Sequence, residues 1–267
     1  MPRRLSVVTL LVVTALLFAM TGVTLLACRD VDLASASALK TSNTFYFLQI
    51  GQSNPAYDLV LFCMLTIFAN FIFVYAKNSP FFFNIIQRIG YRRFLTKGVV
   101  VSFIGGATLS LLMSLYQLVL LSLFIHPLSF GPVADNKANG LAFYDDGNLW
   151  STIQFCFLAA IGWGIYAMFV FSATLWVKKT AIAIVSGSLL GVAFFLAPAI
   201  LAQLLNGHLS GALYSLQVST LIAPGMVSYP TISMDKTVFY FICAACLYTL
   251  LTVSSASLWM KKKERFA

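Results

Sequence analysis

Apolar runs long enough to cross a bilayer alternate along the chain with short polar or basic stretches. Six such runs lie near residues 5–26, 59–76, 98–125, 153–177, 181–204 and 238–259, close to or above the ~20 residues that a membrane helix needs. The pattern predicts an all-α integral membrane protein, one transmembrane domain over 1–267 with six crossing helices. Residues 78–97, NSPFFFNIIQRIGYRRFLTK, interrupt it with basic side chains and no acidic one. Ser79 and Pro80 form a helix-start pair, an N-cap hydroxyl followed by a residue whose missing N–H costs nothing at the first helical position. Phe82, Ile85, Ile86 and Ile89 then recur at helical spacing, while Asn84, Arg88 and Arg92 fall four apart on another face. Gly90 is placed to end or bend the element. The stretch reads as an amphipathic helix resting on a membrane face with its basic tip toward the cytosol; the plain alternative is a basic loop that only obeys topology rules.

Composition agrees with the pattern. The 267 residues are 60% hydrophobic and 9% charged, with a mean hydropathy of +0.90, whereas a soluble domain carries about 25% charged residues. The net charge of +9 is split into short clusters between apolar runs, which fits membrane insertion rather than nucleic-acid binding. With the N-terminus inside, the basic residues inside are Arg3, Arg4, Lys77, Arg88, Arg92, Arg93, Lys97, Lys178, Lys179, Lys261, Lys262, Lys263 and Arg265. Only Arg29, Lys40, Lys137 and Lys236 fall outside. Thirteen against four places both termini in the cytoplasm. The same partition puts Asp30, Asp32, Asp58, Asp135, Asp145, Asp146 and Asp235 outside and leaves no charge near the bilayer centre. The start, Met1-Pro2-Arg3-Arg4 before a long apolar run and Leu25-Leu26-Ala27-Cys28, resembles a signal peptide with a lipoprotein cleavage box. The run exceeds the usual ~7–15-residue signal core and Leu26 is bulky for such a box, so the segment reads as a retained helix.

Small residues at four-residue spacing mark close helix contacts: Ser102, Gly106, Ser110 and Ser114 in the third run, and Ala183, Gly187 and Gly191 in the fifth. Either row could pack within one bundle or against a second subunit. Pro198 should kink the fifth run near its outer end. The polar stretches 27–58 and 127–152 read as surface loops. The outer loop 205–236 is different, because Leu213, Leu216, Val218, Leu221 and Ile222 are dense enough for a re-entrant or interfacial helix.

Candidate chemistry is sparse. The histidines, His126 and His208, fall at the outer membrane edge outside any metal-ligand spacing, and Cys243 and Cys246 form a lone C-x-x-C inside the last run. The sequence has no Gly-rich loop ending in Gly-Lys-Ser/Thr with which to bind ATP. The embedded polar residues Asn70, Gln117 and Gln154 suit helix-to-helix hydrogen bonds. Without embedded charge, ion coupling lacks its usual residues.

Six helices with both ends inside, a basic amphipathic insert after the second and a semi-apolar outer insert after the fifth resemble an ABC-2 type permease, the membrane subunit of an ATP-driven exporter. Gln87-Arg88-Ile89-Gly90-Tyr91 is similar to the family's Glu-Arg-x-x-Gly coupling pattern, with Gln87 at the acidic position and a spacing shorter by one. The resemblance implies a coupling helix, about Ser79 to Ile89, docking on a separate ABC nucleotide-binding subunit through Ser79, Ile85, Ile86, Arg88, Ile89, Gly90, Arg92 and Arg93. It implies that ATP and Mg are held by that partner and no cofactor by this chain. It implies a second permease subunit, a copy or a relative, with Ser102, Gly106, Ser110, Ala183, Gly187 and Gly191 in packing or pathway positions. The compact start resembles bacterial peptide-export and bacteriocin-immunity permeases of the plasma membrane. Uncharged apolar walls suit an amphipathic or lipophilic cargo, a peptide among them. The competing expectations are a polytopic membrane enzyme and a non-transporting protein that gives immunity by binding a toxin.

Overall fold

A computed structural model describes residues 3–29, 45–46, 48–49, 55–124, 130, 148–205, 212–213, 216–225 and 237–264, and every element among them is helical. Helix α1 is Arg3–Arg29. Helix α2 starts as Pro55–Leu65, passes through a π-helical turn at Thr66–Asn70 and ends as Phe71–Asn78. Helix α3 is Phe82–Phe124, bent at Gly90. Then come α4, Leu149–Thr174; α5, Thr180–Leu205; the short α6, Val218–Ile222; and α7, Thr237–Glu264. Five of these helices are long and apolar enough to cross a membrane among the described residues. In α1 the apolar stretch with described side chains is Leu11–Leu26.

The bundle is organised around α4. Of its most apolar window 72% is buried inside the protein, against 17% for α5, so α4 is the axis and α5 the periphery. Small residues let neighbours approach it closely, which is how membrane helices gain packing energy when lipid is as apolar as their side chains. A Cβ on Gly106 of α3 would lie 2.6 Å from Ala167 Cβ and 2.7 Å from the Trp163 carbonyl, and Gly164 meets Phe103 of α3 from the other side. Ser102, Ser110 and Ser114 are buried in the same row. The row in α5 packs on α2: a Cβ on Gly187 would sit 2.0 Å from Thr66 Oγ1, and one on Gly191 2.5 Å from the Phe62 ring. Both rows therefore face helices of this same chain.

Three expectations change at the level of boundaries. The third crossing does not begin at Gly98, because helical backbone runs on from Tyr91. At ~1.5 Å per residue the 42 residues Phe82–Leu123 would reach about 63 Å, twice a ~30 Å hydrocarbon core, so α3 is two arms rather than one crossing. Asp58, expected in an outer loop, lies in the first turn of α2 and is 5% exposed. Pro55 opens that helix several residues before the apolar run begins, and a carboxylate is favoured near a helix N-terminus. Ser79 does not cap α3; its hydroxyl and its N–H both donate backwards to the Ala76 carbonyl, at 2.8 and 3.3 Å, closing α2.

Of the described part of the 205–236 loop, residues 217–225 are buried in the bundle, while Leu205 and Ala212 stay exposed. All five residues of α6 are buried, with the Leu221 carbonyl 1.8 Å from where a Cβ on Gly162 would be. Gln217 Nε2 donates to the Phe195 carbonyl at 2.6 Å, three residues before Pro198. His126, His208, Asp145 and Asp146 lie outside the described residues.

Candidate functional site

Basic residues far apart in sequence, Lys77 of α2, Arg92 of α3 and Lys262 and Lys263 of α7, come together at one end of the bundle. Lys77, in the last turn of α2, points its ammonium at the open end of α4. Nζ donates to the carbonyls of Thr174 (2.7 Å), Leu175 (3.1 Å) and Val177. A cation there adds a charged donor to carbonyls at the helix end, of which that of Thr174 also accepts the Val177 N–H at 3.1 Å, and suits the negative end of the helix dipole. Asn78 Nδ2 adds a bond to Thr180 Oγ1 at 3.2 Å, so two consecutive side chains of α2 clamp the α4–α5 turn. The chain thus leaves α2 from a fixed base. It turns at 79–81, where the Phe82 N–H bonds the Ser79 carbonyl at 3.1 Å.

From that base the first arm of α3, up to Ile89, folds over the ends of α4 and α7. Gly90 makes this possible with φ 73° and ψ 157°, a backbone region nearly closed to residues with a Cβ. Phe82 and Ile86 are buried in a cluster with Phe94, Leu95, Phe171, Leu175 and Trp259, and Ile85, Ile89 and Tyr91 pack partly against it. Aromatic edges hold the fold-back: Phe82 lies 5.4 Å from Phe94 and 6.4 Å from Trp259, with Tyr91 5.9 Å from Trp259. The lysines of α7 join in, Lys263 Nζ 5.9 Å from the Trp259 ring and Lys262 Nζ 5.5 Å from that of Trp176, distances at which a cation is attracted to a ring face. Trp176 Nε1 donates to Ser255 Oγ at 3.0 Å.

This geometry sorts the sequence candidates into two faces. Ile85, Ile86 and Ile89 turn inward and anchor the arm, and Ser79 is tied to α2. Arg88, Arg92 and Arg93 are exposed, as are Asn84 and Gln87. Phe81 and Phe83, 68% and 69% exposed, stand on the same outer side. Sequence reasoning missed these two phenylalanines, the Lys77 clamp and Trp259. The three consecutive Phe81, Phe82 and Phe83 were the available signal, since one helix face can bury only one of such a run. Ser102, Gly106, Ser110, Ala183, Gly187 and Gly191 lie outside the arm's apolar cluster, and Gly106, Gly187 and Gly191 make the helix contacts described above. Beside the arm, a pocket of about 270 Å³ between α3 and α7 has Arg92 in its wall, with Thr96, Thr252 and Ser257.

Fold and site together define a multi-pass α-helical membrane protein whose basic end carries a short, anchored helical arm. Comparison with protein-family models, with curated proteins and with solved structures found no match.

Proposed function

We propose that the chain is the membrane subunit of an ATP-driven exporter of the ABC-2 type, and that the arm Phe82–Ile89 is where a separate nucleotide-binding subunit docks. The observation that carries this reading is the two-faced arm: an inner row of Phe82, Ile85, Ile86 and Ile89 seated on α4 and α7, and an outer row of Phe83, Asn84, Gln87 and Arg88 left open. Exposed aromatics beside arginine make good anchors for a protein partner. A push on this arm passes to α4, the buried axis, and through the Lys77 clamp to α2 and α5. In this reading the arm lies in the cytoplasm, with six crossings and both termini on that side; the basic residues around the arm support it through the positive-inside rule. The cell membrane of a bacterium, an amphipathic or lipophilic cargo, and a second permease subunit, identical or related, complete the proposal.

The test is coupling. Arg88→Glu and Phe83→Asp alter only the outer row, so the chain should still insert while transport of the cargo falls at least tenfold and ATP hydrolysis by the partner no longer responds to cargo. Wild-type transport by both variants would refute the coupling role. If function persisted with no ATPase present, the toxin-binding alternative would replace this reading.

A further inference from the structure

Asp58 is the charge that patterning assigned to an outer loop and the fold assigns to a membrane helix. It lies in the first turn of α2, at the opposite end from Lys77, and is 5% exposed. Its Oδ2 is buried and has no hydrogen-bond partner among the described residues. The same residue forms part of the wall of a pocket of about 220 Å³ between α2 and α5, whose other described lining residues are Leu59, Phe62, Val192, Phe195 and Leu196. Among the described residues, one ionisable side chain thus borders an otherwise apolar slot. Leu59, Val192 and Leu196 are 47%, 40% and 49% exposed on the apolar outer surface of the bundle, so the slot is reached sideways from the lipid.

We propose that this slot binds an amphiphile with a primary ammonium head, Asp58 accepting from the ammonium while the tail lies along Phe62 and Phe195. A buried carboxylate oxygen can only accept, and leaving it unpaired is costly. An anion would be repelled, and a neutral tail would leave the oxygen unsatisfied. An ammonium supplies both the charge and the N–H donor. The position suits such a ligand, because a head at the start of α2 sits near the membrane interface and the tail points inward. Gly191 contributes by letting the Phe62 ring lie flat against α5, where a Cβ would come within 2.5–2.7 Å of it. The site stands on this geometry alone and is independent of the coupling role proposed for the arm.

The experiment uses the full chain in phosphatidylcholine nanodiscs titrated with 12-bromododecylammonium, whose bromine quenches tryptophan at short range. Trp163, 5.3 Å from Phe62, is the reporter. Saturable quenching is expected for the wild type, at least tenfold weaker in Asp58→Asn, and abolished in Val192→Phe, which fills the slot from its rim without touching the carboxylate. Bromododecanol and the trimethylammonium analogue should bind at least fivefold more weakly than the primary amine. Nanodiscs containing phosphatidylethanolamine separate the two sources of such a head: competition by that lipid identifies a lipid ligand, and its failure to compete identifies a free amphiphile. Equal affinity of Asp58→Asn and wild type, equal binding of the alcohol, or no saturable quenching in the wild type would overturn the proposal.

Discussion

Replacing Gly90 by alanine isolates the backbone requirement of the arm. A Cβ at this position meets nothing within 4 Å, so no clash confuses the result. At φ 73° and ψ 157° the bent form gains ~1–3 kcal/mol of strain. A straight helix through position 90 gains about 1 kcal/mol from alanine over glycine. The swing toward the straight form is therefore roughly 2–4 kcal/mol. Against it stands the burial of Phe82 and Ile86 on the ends of α4 and α7, at ~1.5–3 kcal/mol each, or roughly 3–6 kcal/mol. The bent form should survive in Gly90→Ala with a much smaller margin, and Gly90→Ala combined with Ile86→Ala should straighten. Spin labels at the exposed positions Phe83 and Lys261 report this by pulsed dipolar spectroscopy. One narrow distance is expected for the wild-type background, a second longer population in the single variant, and dominance of the longer distance in the double. An unchanged narrow distance in the double variant would refute the account of how the arm is held.

The close contacts give further expectations. Gly187→Ala places a Cβ 2.0 Å from Thr66 Oγ1 and should cost ~1–3 kcal/mol by overpacking α5 on α2, visible as a lower thermal unfolding midpoint in detergent. Gly162→Ala drives into the Leu221 backbone and should lift α6 out of the bundle, so that a cysteine at the buried Ser219 becomes labelled only in that variant. Lys77→Met removes the ammonium donor from the carbonyls of Thr174, Leu175 and Val177, of which only that of Thr174 keeps a backbone donor, the Val177 N–H, among the described residues, and should destabilise on the order of 2–3 kcal/mol, judged by the usual worth of charged hydrogen bonds. Lys77→Arg should recover part of that loss in the same unfolding assay.

Helical crossings were legible because a bilayer demands long apolar runs, and the small-residue rows were legible because Gly106, Gly187 and Gly191 leave the same four-residue signature in any close helix pair. Which helix each row faces was not legible, since periodicity gives a face and not its neighbour. The centrality of α4 could have been read from Ala159, Ala160, Gly162, Gly164 and Ala167, small residues on several faces of one helix. The inward turn of Ile86 and the outward turn of Phe83 depend on the Gly90 bend, whose direction is a backbone torsion that residue type permits but does not dictate. Asp58 was misplaced because hydropathy marks where a run becomes apolar, whereas Pro55 starts the helix earlier.

The outer face of the arm, proposed as the docking surface for an ATP-hydrolysing partner, can be probed in place. Its most direct test places a photo-crosslinking amino acid at Phe83 in native membranes, with Leu201 on the exposed side of α5 as the control. The adduct at Phe83 should contain a nucleotide-binding protein identified by mass spectrometry, and the Leu201 position should yield none. A Phe83 probe that captures only lipid, or that gives the same products as Leu201, would contradict the account.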